Sequence, residues 1–376
     1  MKRKFWGRGN IVLAFFFILI IIAQNIPAIG KIYAHRLYPY IGKFLCSISG
    51  NVFFSVYDLF IVFSIFGLIA YPILMRKFFK KKYRITIWHD IRYLLWIYIW
   101  FYLAWGLNYS QPDFYQRTKI PMDRFTTSAF KEYAKNYTMH LNRYFLAMKV
   151  INPSLLNEIK ENRPYRFSQT FNDLKIVPPT IYTAYKNSSE TLHNHSPFQE
   201  KPKMKRMTFS PLFSMFGVTG YYGPFFSECH LNNDVTTVEY PFTYAHEYAH
   251  QLGITNEGEA NFYAYVICTE ENKNKYINFC GYFGVLDYFL NNAKQVLSDE
   301  EYQNILKRIN PEIIQLARHE NEYWINKYSK SLGKIQGSIY DYYLKVNHIK
   351  NGRKNYSQVI GLIISYESYK KSIKKK

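Results

Sequence analysis

Residues 241–261 read PFTYAHEYAHQLGITNEGEAN, and the rest of the 376-residue chain is best understood outward from them. Pro241 suits the first position of a helix, where a missing N–H removes a donor that has no partner anyway. Gly253 suits the end of that helix, where the backbone commonly turns left-handed. A helix over 241–252 puts His246 and His250 four residues apart on one face. Two imidazoles on adjacent turns can ligate one metal ion, and Glu247 beside them can act as a general base toward a water held there. The positions around this HExxH spacing, Thr243, Tyr248, Ala249, Gln251 and Leu252, are uncharged. An amphipathic surface helix with two His and a Glu is the plainer reading, but it does not account for those flanks.

Zn2+ takes three protein ligands at a reactive site and keeps the fourth position open. Two carboxylates follow Gly253 closely enough to supply the third. Asn256 is a good N-cap for a second helix, and Glu259 then falls at the capping-box position, a structural role. Glu257 stands in the first turn of that helix, free to face the metal, and is the preferred ligand; Glu259 is the alternative. Asn261, four residues after Glu257, shares its face and is placed to hydrogen-bond a ligating histidine from behind.

The remaining sequence describes how this site is carried. Lys and Arg number 48 against 27 Asp and Glu, a formal net charge of +21. The basic residues gather at the ends of apolar runs and in the tail Lys370-Lys371…Lys374-Lys375-Lys376, which suits an anionic membrane surface. No zinc-finger or RNA-recognition signature is present, so nucleic acid is not the expected partner. The four cysteines, Cys46, Cys229, Cys268 and Cys280, form no CxxC pair. Cys268 and Cys280 could pair in an oxidising compartment; small buried thiols are the alternative.

Three apolar runs predict transmembrane helices at about 10–29, 52–75 and 88–107, a membrane anchor over 1–108. Four Lys/Arg precede the first run and six occupy 76–84, against three between the first two runs, so the N-terminus and the basic block belong inside. Three crossings then place 109–376 outside the cytoplasm. In that part, Asp123–Val150 reads as an amphipathic helix. His193 and His195 lie in a polar loop and read as surface residues. The glycines and aromatics of 207–232 suggest strands and tight turns. From 241 onward the pattern is helical, over 241–252, 257–271, 276–295, 298–308, 310–330, 336–347 and 354–370. The expected fold is a three-helix membrane anchor followed by a mainly α, α+β domain with a small sheet.

The uncharged HExxH helix resembles that of the zincin metallopeptidases. Glu257 with Asn261 resembles the Asn-Glu-x-x-x-Asp ligand pattern of gluzincins, with Asn261 in place of the Asp, although gluzincins set that Glu much farther along. HExxHxxG resembles metzincins through Gly253, but Asn256 stands where their third His would be. A closer resemblance, over most of the chain, is to a family of bacterial membrane proteins of unknown function. The residues that carry it are Gly217–Phe225, Glu228, Asn232, His246–Gly253, Glu257–Phe262 and Tyr342-Tyr343-Leu344-Lys345…Gly352…Tyr356. The resemblance implies a zincin-like domain and brings no substrate. In zincins an edge strand beside the cleft pairs with an extended peptide, and Glu228–Asn232 is the candidate here. His230, Tyr221 and Tyr222 are near enough in sequence to steady an oxyanion, though each reads more simply as structural. The function expected is a membrane-anchored zinc-dependent metallopeptidase with a peptide or protein substrate and the lipid bilayer as its surroundings. The alternative is a non-catalytic envelope scaffold or receptor on the same fold.

Overall fold

A computed structural model describes residues 7–123, 125–170, 174–188, 204–270, 273–347 and 358–374. The chain is mostly helical with one small three-stranded sheet, and it divides into two compact units. The first comprises 1–112 together with 223–228, and the second 113–222 with 229–376.

In the first unit, Val56–Phe79 is a 24-residue helix long and apolar enough to cross a membrane. Its start is capped three times over. The Ser55 hydroxyl accepts from the Asp58 N–H at 2.9 Å, and Glu228 accepts from the Val56 and Tyr57 N–H groups at 3.2 and 2.7 Å. A carboxylate at a helix N-terminus satisfies otherwise orphaned donors and complements the positive end of the dipole. Lys80, in the left-handed region at φ 49°, ends the helix just inside the basic block.

The other two expected spans come out differently. Arg8–Gln24 has 17 residues, and the chain then bends by 96° into Pro27–Ser49. Only as a bent pair do these two helices meet the length and apolarity of a span, a broken crossing or a re-entrant loop. Pro27 is the physical reason, since it cannot continue the hydrogen-bond ladder of the first helix. The run expected at 88–107 lies in the helix Tyr83–Ala104, which carries Arg84, Asp90 and Arg92 in its first half. Length and composition therefore support one span, or two with the bent pair, in place of three. The three-crossing count behind the external placement loses its support with the third.

The second unit is built around two consecutive helices, Tyr240–Gln251 and Glu257–Thr269. All 13 residues of Glu257–Thr269 are buried, and so are 11 of the 12 in Tyr240–Gln251, with His246 the exception. A helix buried on every side belongs at the centre of its domain. Glu257–Thr269 packs in turn on Lys275–Gly284, and that helix on Thr127–Ile151. Gly284 permits one close approach: a Cβ there would fall 2.4 Å from the Phe242 ring. The expected helix over 276–295 is in fact two, Lys275–Gly284 and Leu286–Val296, broken at Val285. The amphipathic helix expected at 123–150 runs from Thr127 to Ile151, its start capped by Thr126. Cys268 and Cys280 are buried thiols that are not joined in a disulfide.

The strands are β1 (Met204–Arg206), β2 (Gly220–Gly223) and β3 (Glu228–Leu231), in the spatial order β1-β3-β2. β1 runs parallel to β3, with Lys205 opposite His230. β3 is thus the central strand, not the edge expected of it, because both sides of its ladder are taken. β2 and β1 are the edges.

A carboxyl pair closes the entry to the HExxH helix. Glu239, its N-cap residue, accepts from the Thr236 N–H at 3.2 Å and from Trp324 Nε1 at 2.8 Å. Glu320 accepts from the Thr236 hydroxyl at 2.8 Å and is hydrogen-bonded to Glu239. Burial pushes Glu239 up to about 7 and Glu320 well above the carboxylate range, the latter also through Glu239 itself. Raised folded-state values make the protonated pair stabilising below the unfolded Glu value of about 4.3, and that stability is lost as pH rises through about 7. Melting temperature is expected to fall from about pH 5 to about pH 8, and Glu320→Gln is expected to flatten that fall. Parallel melting profiles for the two proteins would refute the pairing.

Candidate metal centre

The helix Tyr240–Gln251 ends in a Schellman turn. The Gly253 N–H donates to the His250 carbonyl at 3.0 Å and the Ile254 N–H to the Ala249 carbonyl at 3.1 Å, with Gly253 at φ +91°. A side chain at that φ costs roughly 1–2 kcal/mol, which is why glycine stands there. The turn also brings the Ile254 carbonyl oxygen back to 2.7 Å from His250 Nδ1. Asn256 then starts the second helix, its Oδ1 accepting from the Glu259 N–H at 3.0 Å.

This turn brings three donor atoms together. His246 Nε2 and His250 Nε2 are 3.1 Å apart, and Glu257 Oε2 lies 3.1 and 3.3 Å from them. Among the described residues this is the group of three His, Cys, Asp or Glu side chains that could hold a metal ion. The fit is close. Zinc–ligand bonds of about 2.0–2.1 Å put tetrahedral donors about 3.3–3.4 Å apart, near all three edges of the triangle.

The ring tautomers follow from the partners behind them. His250 Nδ1 faces a carbonyl oxygen, which only accepts, so Nδ1 carries the proton. His246 Nδ1 lies 2.8 Å from Asn261 Oδ1, and the Asn261 amide nitrogen donates to the Tyr288 hydroxyl at 3.4 Å. That second bond orients the amide with its oxygen toward the ring. Both Nε2 lone pairs therefore point into the triangle.

The electrostatics favour a cation there. Burial alone would lower His250, but the Glu257 carboxylate raises it to about 9. Burial alone would raise Glu257, but the two imidazoles hold it well below the usual carboxylate range. Burial pushes Glu247 up to about 7, with the histidines opposing and Glu257 adding to the rise. Glu247 is 4% exposed, and its Oε2 has no hydrogen-bond partner among the described residues. Gly220 of β2 lies against this carboxylate: a Cβ there would fall 2.4 Å from Glu247 Oε1.

The expected residues His246, His250, Glu257, Glu247 and Asn261 thus meet in one place. Glu259 does not join them. Its carboxylate forms a buried ion pair with Arg117, from the short helix Phe114–Thr118, and is not free to close a capping box. Burial opposes the Arg117 charge, but Glu259 and Tyr263 raise its pKa. His230 is fully buried and stacks on Tyr221 at 4.4 Å, part of the sheet's packing. His193, His195, Gly352 and Tyr356 lie outside the described residues. Sequence reasoning missed Tyr288, Gly220 and Arg117. Gly284, with no room for a side chain, is the signal that could have exposed the helix break that returns Tyr288 to the site.

Fold and site define a mostly helical protein with a His-His-Glu triad, two of its residues buried and His246 half-buried, able to hold a metal, in a chain that also has at least one helix fit to span a membrane. The chain belongs to the family described as Protein of unknown function (DUF3810), whose model matches residues 33–364. No curated protein and no solved structure matches it.

Asn261→Ala is expected to weaken metal binding by about 10- to 100-fold, as loss of a ligand-orienting partner does. Isothermal titration of the metal-stripped protein measures this; an affinity equal to wild type would remove Asn261 from the site's support.

Proposed function

We propose that the protein is a membrane-anchored, zinc-dependent metallopeptidase of the zincin type, acting on a peptide or protein at the outer face of the membrane. The observation that carries the reading is the pairing of a three-donor triad with a buried, unpartnered general-base carboxylate one residue from the first ligand. A structural zinc site closes on four protein ligands, whereas a reactive one holds three and leaves a position open. The donor set here is of the second kind, among the described residues.

His246, His250 and Glu257 would hold the ion. Bound there, zinc would supply Lewis acidity to a water and to the substrate carbonyl. The chain's own part is the proton and the position. Glu247 accepts a proton at Oε2, the oxygen with no other partner, and returns it to the leaving amine. Burial toward about 7 gives that carboxyl a proton affinity suited to both transfers. Asn261 and the Ile254 carbonyl keep the two rings in the tautomer that ligates. Gly220 belongs to β2, an edge strand, so its neighbours offer an extended peptide a backbone to pair with beside Glu247. β2 replaces Glu228–Asn232 in that role.

The anchor rests on Val56–Phe79. Positive charge before Arg8–Gln24 and after Val56–Phe79 supports an internal position for both segments. The outer placement then requires Tyr83–Ala104 to cross as well, despite its charges.

Purified protein is expected to contain one zinc per chain, absent from the His246→Ala/His250→Ala variant. Glu247→Gln is expected to keep the zinc and lose at least about 100-fold in peptide hydrolysis, the usual yield of general-base catalysis. Zinc-free wild type, or turnover unchanged in Glu247→Gln, would overturn the reading. For the topology, Glu300→Cys is expected to react with an impermeant maleimide on intact cells; reaction only after lysis would place the domain inside.

A further inference from the structure

The first unit contains a cleft of about 630 Å³. Its walls are apolar: Leu19 of Arg8–Gln24, Ile32, Leu37, Ile41 and Phe44 of Pro27–Ser49, and Trp100 of Tyr83–Ala104 are among the lining residues, and none of the lining side chains is charged. The walls are held in place by groups that face away from it. Tyr33 donates to the Leu103 carbonyl at 2.9 Å, and Trp100 Nε1 to the Phe225 carbonyl at 3.2 Å. Gly30 packs so closely that a Cβ would fall 2.1 Å from the Ser110 carbonyl oxygen.

The rim differs from the walls. Arg36 and Lys43 are exposed, and they stand four residues before and three residues after Tyr40, a lining residue, on its face of the helical segment. Among the described residues neither of the two has a carboxylate partner, and the first acidic residue of the whole sequence is Asp58. Leu37 and Phe44 stay 53% and 62% exposed beside them. An apolar slot bordered by unopposed cations complements an amphiphile with a hydrocarbon chain and an anionic head. Neither water nor a neutral apolar protein surface satisfies both parts.

We propose that this cleft binds one acyl chain of an anionic phospholipid, with Arg36 and Lys43 holding its headgroup phosphate. The inference rests on the membrane anchor of the preceding reading, which brings the lipid within reach, and not on the peptidase chemistry. Each cation near an anionic lipid head contributes roughly 1 kcal/mol, about fivefold in affinity.

The test uses the full chain in detergent with phosphatidylglycerol or phosphatidylcholine brominated on the acyl chain. Trp100 fluorescence, taken as the difference between wild type and Trp100→Phe, reports a chain in the cleft. Saturable quenching is expected, at lower mole fraction for phosphatidylglycerol. Arg36→Gln/Lys43→Gln is expected to lose that preference, about fivefold per cation, while keeping the quenching itself. Native mass spectrometry provides a second measurement that needs no Trp100 variant: one phosphatidylglycerol per chain should survive delipidation and be lost in the double variant. No quenching, equal quenching by both lipids, or a preference that survives the double variant overturns the proposal. Release of the protein from native membranes by alkaline carbonate would instead refute the anchor, leaving the lipid measurement to be judged on its own.

Discussion

The second unit depends on one constraint: three lone-pair-bearing atoms, largely shielded from water, are made to face each other. With their protons held at Nδ1, His246 and His250 turn bare nitrogens toward each other across 3.1 Å, and Glu257 adds an anionic oxygen at similar range. Without a cation between them, a metal ion or the proton that Glu257 helps His250 to hold, such atoms repel. The arrangement survives in the fold because each is braced from behind, by Asn261, by the Ile254 carbonyl and by a helix with no exposed face. The Schellman turn at Gly253 does two jobs at once. It ends the first helix, and it delivers both the carbonyl that orients His250 and the helix that carries Glu257.

The buried carboxylates show how the chain divides its labour. Charged groups are costly to bury and persist when paired. Glu259 has Arg117, Glu257 has the two imidazoles, and Glu239 shares hydrogen bonds with Glu320, Thr236 and Trp324. Glu228 caps a helix through two N–H groups. Glu247 Oε2, like Glu320 Oε2 beside Glu239, has no hydrogen-bond partner among the described residues, and of the two only Glu247 lies next to the triad. The Arg117 pair also explains why Glu259, two residues from Glu257, is unavailable to the metal. Its carboxylate is already neutralised by a cation 142 positions away in the sequence.

That distance marks the boundary of what the sequence alone discloses. His246, His250, Glu257 and Asn261 were readable because helical arithmetic places residues four apart on one face, and the linker between the two helices is short. The same arithmetic located Tyr240–Gln251 and Glu257–Thr269 to within two residues at each end. Arg117, Gly220 and Tyr288 reach the site through tertiary packing, for which no local period exists. Strand order is of the same kind: nothing in Glu228–Asn232 says whether its neighbours lie on one side or both. The spans failed for a different reason. Apolar content was read as length, whereas Pro27 breaks one run into a 96° bend and the charges near Asp90 shorten another.

The choice between a reactive site and a scaffold turns on Glu247. A scaffold could use the triad as a staple, since a metal joining two helices stabilises the folded state however inert it is. It would gain nothing from a carboxylate next to the staple. Burying such a group without a partner costs on the order of several kcal/mol, and apolar side chains of similar volume would pack there more favourably. Gly220 sharpens the point. A residue with any side chain would press on Glu247 Oε1, so the sheet edge gives up a packing atom where the carboxylate needs room. Two separate elements thus carry a cost at the same carboxylate. The proposed role, a group that accepts and returns a proton, would account for both, and a staple would account for neither.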